Sequence, residues 1–138
     1  MLAGGARLSY RTAVTLEPGR SGRASLVVGN EDTAAALGSG DVEVLSTPRL
    51  ISLCEEATLA ALAGELGKGQ TSVGVRVQFD HLAPLRIGSQ VTAEAVLEKI
   101  EGRRLVFTVT ATDAAGLVGA GRVTRRVVEI DGFMAKAR

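Results

Sequence analysis

At 138 residues, with 46% hydrophobic and 22% charged side chains, the chain is long enough for one domain whose core needs neither a metal nor a disulfide. Sixteen Lys and Arg against fifteen Asp and Glu leave a formal net charge of +1, so no global field draws nucleic acid or an anionic membrane, and an anionic ligand must be held locally. The single cysteine excludes an internal disulfide, the N-terminal MLAGGARLSY lacks the apolar core of a signal peptide, and no apolar run nears the roughly 20 residues that cross a bilayer; a soluble protein of the reducing cytoplasm is expected.

In chain order, Arg7 to Asn30 alternates around Tyr10, Ala13, Val14 and Leu16, turns at Pro18-Gly19 and resumes through Leu26, Val27 and Val28, which predicts two short strands. EDTAAALGSGD follows, small and polar, with Gly38, Ser39 and Gly40 set to break any helix begun at Ala34 to Leu37; a mobile connection or lid is expected. STPRLISLCEEATLAALAGELGKG then carries a hydroxyl cap candidate in Thr47, Pro48 at the first helical position and Gly67 or Gly69 as a stop, the marks of one long helix. At 100° per residue Leu50, Cys54, Ala57, Thr58 and Ala61 share a face, and Ser52, Glu56 and Ala63 fall opposite. The rest reads as four strands, Thr71 to Leu82, Ser89 to Ile100, Arg104 to Asp113 and Leu117 to Ile130, joined by short glycine- or proline-bearing turns.

One helix cannot cover both faces of such a sheet, but a strongly curved antiparallel sheet can wrap a single central helix and pair its edge with a second copy. That arrangement is the hotdog fold, an α+β architecture, here predicted as a single domain over residues 1–138. A homodimer is expected, with pairing of dimers left open.

Two adjacent carboxylates fall differently on the helix, because neighbouring positions point 100° apart. Glu55 lies at the border of the apolar stripe, where partial desolvation calls for a cation or a donor, and Glu56 points to water. Glu55 is either a site residue or a structural ion-pair partner. His81, the only histidine, ends a strand at a turn; an imidazole there suits general base chemistry, and it equally suits a backbone-satisfied structural role. Thr47 is either an N-cap or a reactive hydroxyl. Cys54, in the middle of the apolar face, should pack as a small hydrophobe. No ligand spacing suggests a metal, and Gly119-Ala120-Gly121 lacks the strand-to-helix context of a dinucleotide loop.

Taken together, Thr47, Glu55 and His81 around the passage HLAPLRIGSQV resemble hotdog acyl-CoA thioesterases, and more narrowly the fluoroacetyl-CoA thioesterase-like family. The similarity runs from about Val44 to Ala137 through EGRRL, GAGRVTRR and FMAKA. It implies a Thr/Glu/His triad at Thr47, Glu55 and His81, with Gly74 and Arg125 against the acyl group; Arg125 is otherwise a solvated strand residue. Hydrolysis of a small acyl-CoA to free acid and coenzyme A is implied, with the coenzyme as part of the substrate and no separate cofactor. The fluoroacetyl-selective pattern has phenylalanines gating the acyl pocket ahead of the helix, where this chain has LGSGDVEV, so the acyl preference is unassigned. Arg103, Arg104, Arg122 and Arg126 are the cations available for the coenzyme phosphates. Two rival functions share the fold: a hydratase or dehydratase, whose Asp-x-x-x-Pro-x-His arrangement is missing here, and a non-catalytic acyl-CoA-binding protein.

Overall fold

A computed structural model of the chain describes residues 8–9 and 15–138; Arg7, Tyr10, Ala13 and Val14, expected in the first strand, lie outside the described residues. The two ends of that expected strand form a small antiparallel pair, β1 (Leu8–Ser9) with β2 (Thr15–Leu16). After Pro18 and Gly19, which takes a φ of 100°, the chain enters β3 (Ser21–Val27). The segment expected to be a mobile connection instead holds one helical turn, α1 (Ala34–Leu37). Thr33 caps it, accepting from the Ala36 amide at 3.1 Å, and Gly38 closes it with a φ of 71°. Backbone hydrogen bonds from Ala34 to Val44 (2.9 Å) and Ala35 to Val42 (3.1 Å) tie it down.

The long helix is α2 (Thr47–Ala61). Its cap is Ser46 rather than the expected Thr47. Ser46 holds the extended φ/ψ that capping requires and its hydroxyl accepts from the Arg49 amide at 3.1 Å, so Thr47 is already helical and its side chain is released from capping. The helix also ends before Gly67, at Leu62, with Gly64 (φ 74°) in the following turn. Leu50, Cys54, Ala57, Thr58 and Ala61 are buried as the wheel requires, joined by Leu53.

β4 (Gln70–His81), β5 (Gln90–Glu101), β6 (Arg104–Asp113) and β7 (Gly116–Glu129) follow within a residue of expectation. Ile130 opens a short helix, α3 (Ile130–Lys136), where a strand end was expected. The five long strands form one antiparallel sheet in the order β3-β5-β6-β7-β4. Its inner face, carrying Val91, Ala93, Leu97, Leu105, Phe107 and Val123, closes on α2, which packs mainly against β3 and β5. Gly22 makes this approach possible: a methyl there would meet the backbone of Ala61, Ala57 and Ala60. The register of β4 on β7 shifts between Gly74 and Arg76, leaving Val75 as the extra residue of a bulge, and β5 shifts likewise at Glu98. Among the described residues no helix is long and apolar enough to cross a membrane.

Candidate active site

Helix α2 runs antiparallel to β4, so its first residue lies beside the last residue of the strand. Thr47 Oγ1 and His81 Nδ1 are 2.8 Å apart, a hydrogen bond that joins positions 34 residues apart in sequence. His81 sits opposite Gly119 at the strand end, where the next amides, Leu82 (2.7 Å) and Ala83 (3.2 Å), both donate to the Val118 carbonyl and fix the imidazole's mount. Its Nε2 is buried without a hydrogen-bond partner among the described residues. A buried ring nitrogen left open in this way is costly unless a substrate or water completes it.

The Thr47 and His81 side chains open onto a cleft of about 310 Å³, whose walls are drawn from α1, the strand-like Val44 and Leu45, and the turn after β4. Small residues, Ala34, Ser39, Ser46 and Ala83, share the lining with Val44, Leu45, Leu82 and two prolines, and no phenylalanine, tyrosine or tryptophan takes part in it. The Thr47–His81 contact permits two proton arrangements. With the hydroxyl donating to Nδ1, the threonine oxygen is activated for attack; with Nδ1–H donating to the hydroxyl, Nε2 is free to accept a proton from water.

Glu55, roughly 12 Å further along the helix axis, stands in a second group. Its Oε2 lies 3.5 Å from Arg125 Nη1, and a methyl built on Gly74 would come within 2.5 Å of the same oxygen. Gly74 pairs with Arg125 across β4 and β7, so both face the helix. Arg125 is only 6% exposed, which overturns the solvated-strand alternative. Its Nε donates to Ser72 Oγ at 2.8 Å and its Nη2 to the Ser72 carbonyl at 3.0 Å, and burial lowers its pKa from the usual arginine value, opposed by the Glu55 charge. Ser72, which anchors this guanidinium, was not legible as a site residue, because only the strand register reveals it. The structure therefore brings Thr47 to His81, and Glu55 to Gly74 and Arg125, with no contact between the two groups among the described residues of one chain.

The other sequence candidates resolve simply. Cys54 is fully buried and its thiol is pushed up to about 12, first by burial and then by the neighbouring Glu55 charge. Glu56 is exposed and meets Arg49 at 3.0 Å, and Arg49 also reaches the buried Asp32 at 3.1 Å. No cluster of three or more potential metal ligands exists among the described residues.

Comparison with known proteins decides the lineage. Residues 28–131 match the family described as FlK, fluoroacetyl-CoA-specific thioesterase. The chain belongs to the FlK thioesterase family. The fluoroacetyl-CoA thioesterase of Streptantibioticus cattleyicolor is 36% identical over 96 residues, covering 70% of this chain and 69% of that enzyme. A crystal structure of a variant of FlK in complex with fluoroacetate and coenzyme A superposes with a TM-score of 0.80 at 30% identity, over 86% of this chain and 99% of that one. A hot-dog-like protein from Thermanaerovibrio acidaminovorans gives a TM-score of 0.79 at 29% identity, over 86% and 88%. The expected hotdog fold is thus borne out, and so is the family. Like its FlK relatives, the chain is a thioesterase, a hydrolase acting on acyl-CoA thioesters.

Proposed function

We propose that this FlK-family thioesterase hydrolyses small acyl-CoA thioesters with Thr47, Glu55 and His81 as its reacting groups, without a cofactor and without selection for fluorine. The observation that carries the reading is the 2.8 Å contact of Thr47 with a histidine that lines a cleft and whose buried Nε2 has no hydrogen-bond partner among the described residues. His81 takes a proton from the Thr47 hydroxyl or from a water, the freed oxygen adds to the thioester carbonyl, and the bare backbone at Gly74 seats the Glu55 carboxylate beside the acyl group. Collapse of the adduct breaks the C–S bond, and the coenzyme thiolate leaves with the proton from His81. Where Thr47, or the Glu55 carboxylate oriented by Arg125, is the attacking oxygen, the acyl ester or anhydride so formed is cleaved by a water that His81 deprotonates, which releases the free acid and restores the side chain; otherwise Glu55 holds the attacking water.

The chain works as a homodimer in this reading, in the cytoplasm. Helix α2 covers chiefly the β3 and β5 half of the sheet, and β4 is left at an edge with Val75 and Val77 exposed by 47% and 37%. A second copy on that edge removes apolar surface from water and closes the open side of the Glu55 group.

A coenzyme A thiol-release assay over acetyl-, fluoroacetyl-, propionyl- and butyryl-CoA tests the assignment. His81→Ala and Thr47→Ala are expected to lower kcat/KM by about a hundredfold or more. Rates equal to wild type in both would refute it, and acyl-CoA binding with no thiol release by the wild type would favour a binding protein. With no phenylalanine, tyrosine or tryptophan in the cleft lining, fluoroacetyl- and acetyl-CoA should differ by less than about tenfold in kcat/KM.

A further inference from the structure

The outer face of the sheet, turned away from α2, carries a concentration of cations that the overall balance of +1 hides. Arg76, Thr124, Val106 and Lys99 lie side by side across β4, β7, β6 and β5, a row of three inter-strand steps or roughly 14 Å. The bulges at Val75 and Glu98 matter here, since each sets the residue after it, Arg76 or Lys99, on this face. Arg126, Arg104 and Glu101 form the adjacent row. A cleft of about 220 Å³ opens between the rows, lined by Arg76, Lys99, Arg104 and Arg122 against the single carboxylate of Glu101.

The cations are unequally committed. Arg122 is held by Glu98 at 3.1 Å, an interaction that keeps the Glu98 carboxyl below the usual glutamate range, and Lys99 meets Glu101 at 3.6 Å. Arg76 and Arg104 have no ion-pair or hydrogen-bond partner among the described residues. Arg104 also stands directly opposite Arg126, a like-charge cross-strand pair that destabilises a sheet unless an anion lies between. The guanidinium fork matches a phosphate bidentately. With aromatic residues at 3% of the chain, this face lacks the stacking platform of a single-strand nucleic-acid binder.

We infer that the outer-face cleft between Arg76 and Arg104 is a binding site for a phosphate or pyrophosphate group. Its carrier is either the coenzyme of the substrate, a case that rests on the thioesterase reading, or a free phosphate compound. Calorimetric titration of the wild type and of Arg76→Ala/Arg104→Ala with inorganic pyrophosphate, coenzyme A and 3′-dephospho-coenzyme A tests it. Pyrophosphate should bind the wild type, weaken with salt, and weaken by roughly tenfold or more in the double variant. If the coenzyme is the carrier, its affinity falls equally and KM for acyl-CoA rises with kcat retained; if a free phosphate is, KM stays unchanged while pyrophosphate binding is lost. Pyrophosphate and coenzyme A binding both variant and wild type alike overturns the site, as does binding confined to phosphatidylserine vesicles. Absence of thiol release by the wild type would instead count against the thioesterase reading and leaves the pyrophosphate result to stand alone.

Discussion

Individual residues here are defined as much by what they lack as by what they carry. At Gly74 the missing side chain is the seat of the Glu55 carboxylate, and a methyl would come within 2.5 Å of its oxygen. Gly74→Ala should therefore displace the flexible end of Glu55 and lower kcat/KM by roughly a hundredfold while shifting Tm little. A loss of stability matching the loss of activity would show that Gly74 serves the fold instead. Cys54 makes the opposite kind of prediction. Its folded thiol titrates at about 12 against an ordinary 9.0, so the stability from keeping it neutral is complete below pH 9.0 and is lost as pH rises from there towards about 12. Alkaline unfolding curves of wild type and Cys54→Ala should accordingly converge as pH rises from 9 to 11; parallel curves would contradict this. The helical wheel was enough to place Cys54 in the core and Glu55 at its border, because both depend on local periodicity. Arg125 was out of its reach, since a guanidinium can be buried only where another strand supplies Ser72 and a helix supplies Glu55.

Among the elements, the start of α2 separates two jobs that the sequence places on neighbouring hydroxyls. Ser46 caps the helix, and Thr47 is left to hydrogen-bond with His81. Ser46→Ala should cost about 1 kcal/mol of stability in chemical denaturation and retain thiol release, whereas Thr47→Ala should retain stability and lose thiol release. Reversed outcomes would return the cap to Thr47. The expectation of a Thr47 cap came from the usual pairing of a hydroxyl with a following proline, and SerThrPro offers two hydroxyls one residue apart; only backbone dihedrals choose between them. The four long strands were legible to within a residue, because their alternation is long and their turns carry glycine or proline. The bulges escaped, including a third where β7 carries Val118 as an extra residue against Ala111 and Thr112, since a bulge is a relation between two strands. Where β3 crosses α2 the constraint is tighter still: Gly22→Ala must push helix backbone away and should destabilise by about 1–3 kcal/mol.

For the molecule as a whole, the uneven cover of the sheet predicts its assembly. Sedimentation at micromolar concentration should find a dimer, and Val77→Lys, which places a charge on the exposed edge strand, should yield a folded monomer with impaired thiol release. A monomeric wild type of full activity would refute the proposed pairing. The wrapped-helix architecture could be anticipated from one helix among several long strands, whereas the division of the candidate site into two groups could not, because it depends on which residue of β4 each turn of α2 meets, His81 at Thr47 and Gly74 at Glu55. The extra residue at Val75 ties these scales together. Seven positions separate Gly74 from His81, an odd number, so an unbroken strand would send them to opposite sides of the sheet. The insertion acts as a change of phase: Ser72 and Gly74 keep one parity, and Val77, Phe79 and His81 take the other, yet all meet the helix side through Val127, Arg125, Val123, Gly121 and Gly119. Removing one residue there would return the strand to a single phase, so that either the histidine or the glycine, with its neighbours, would have to face outward. In this protein the spacing of a strand, more than the identity of any residue in it, decides which side chains share a chamber.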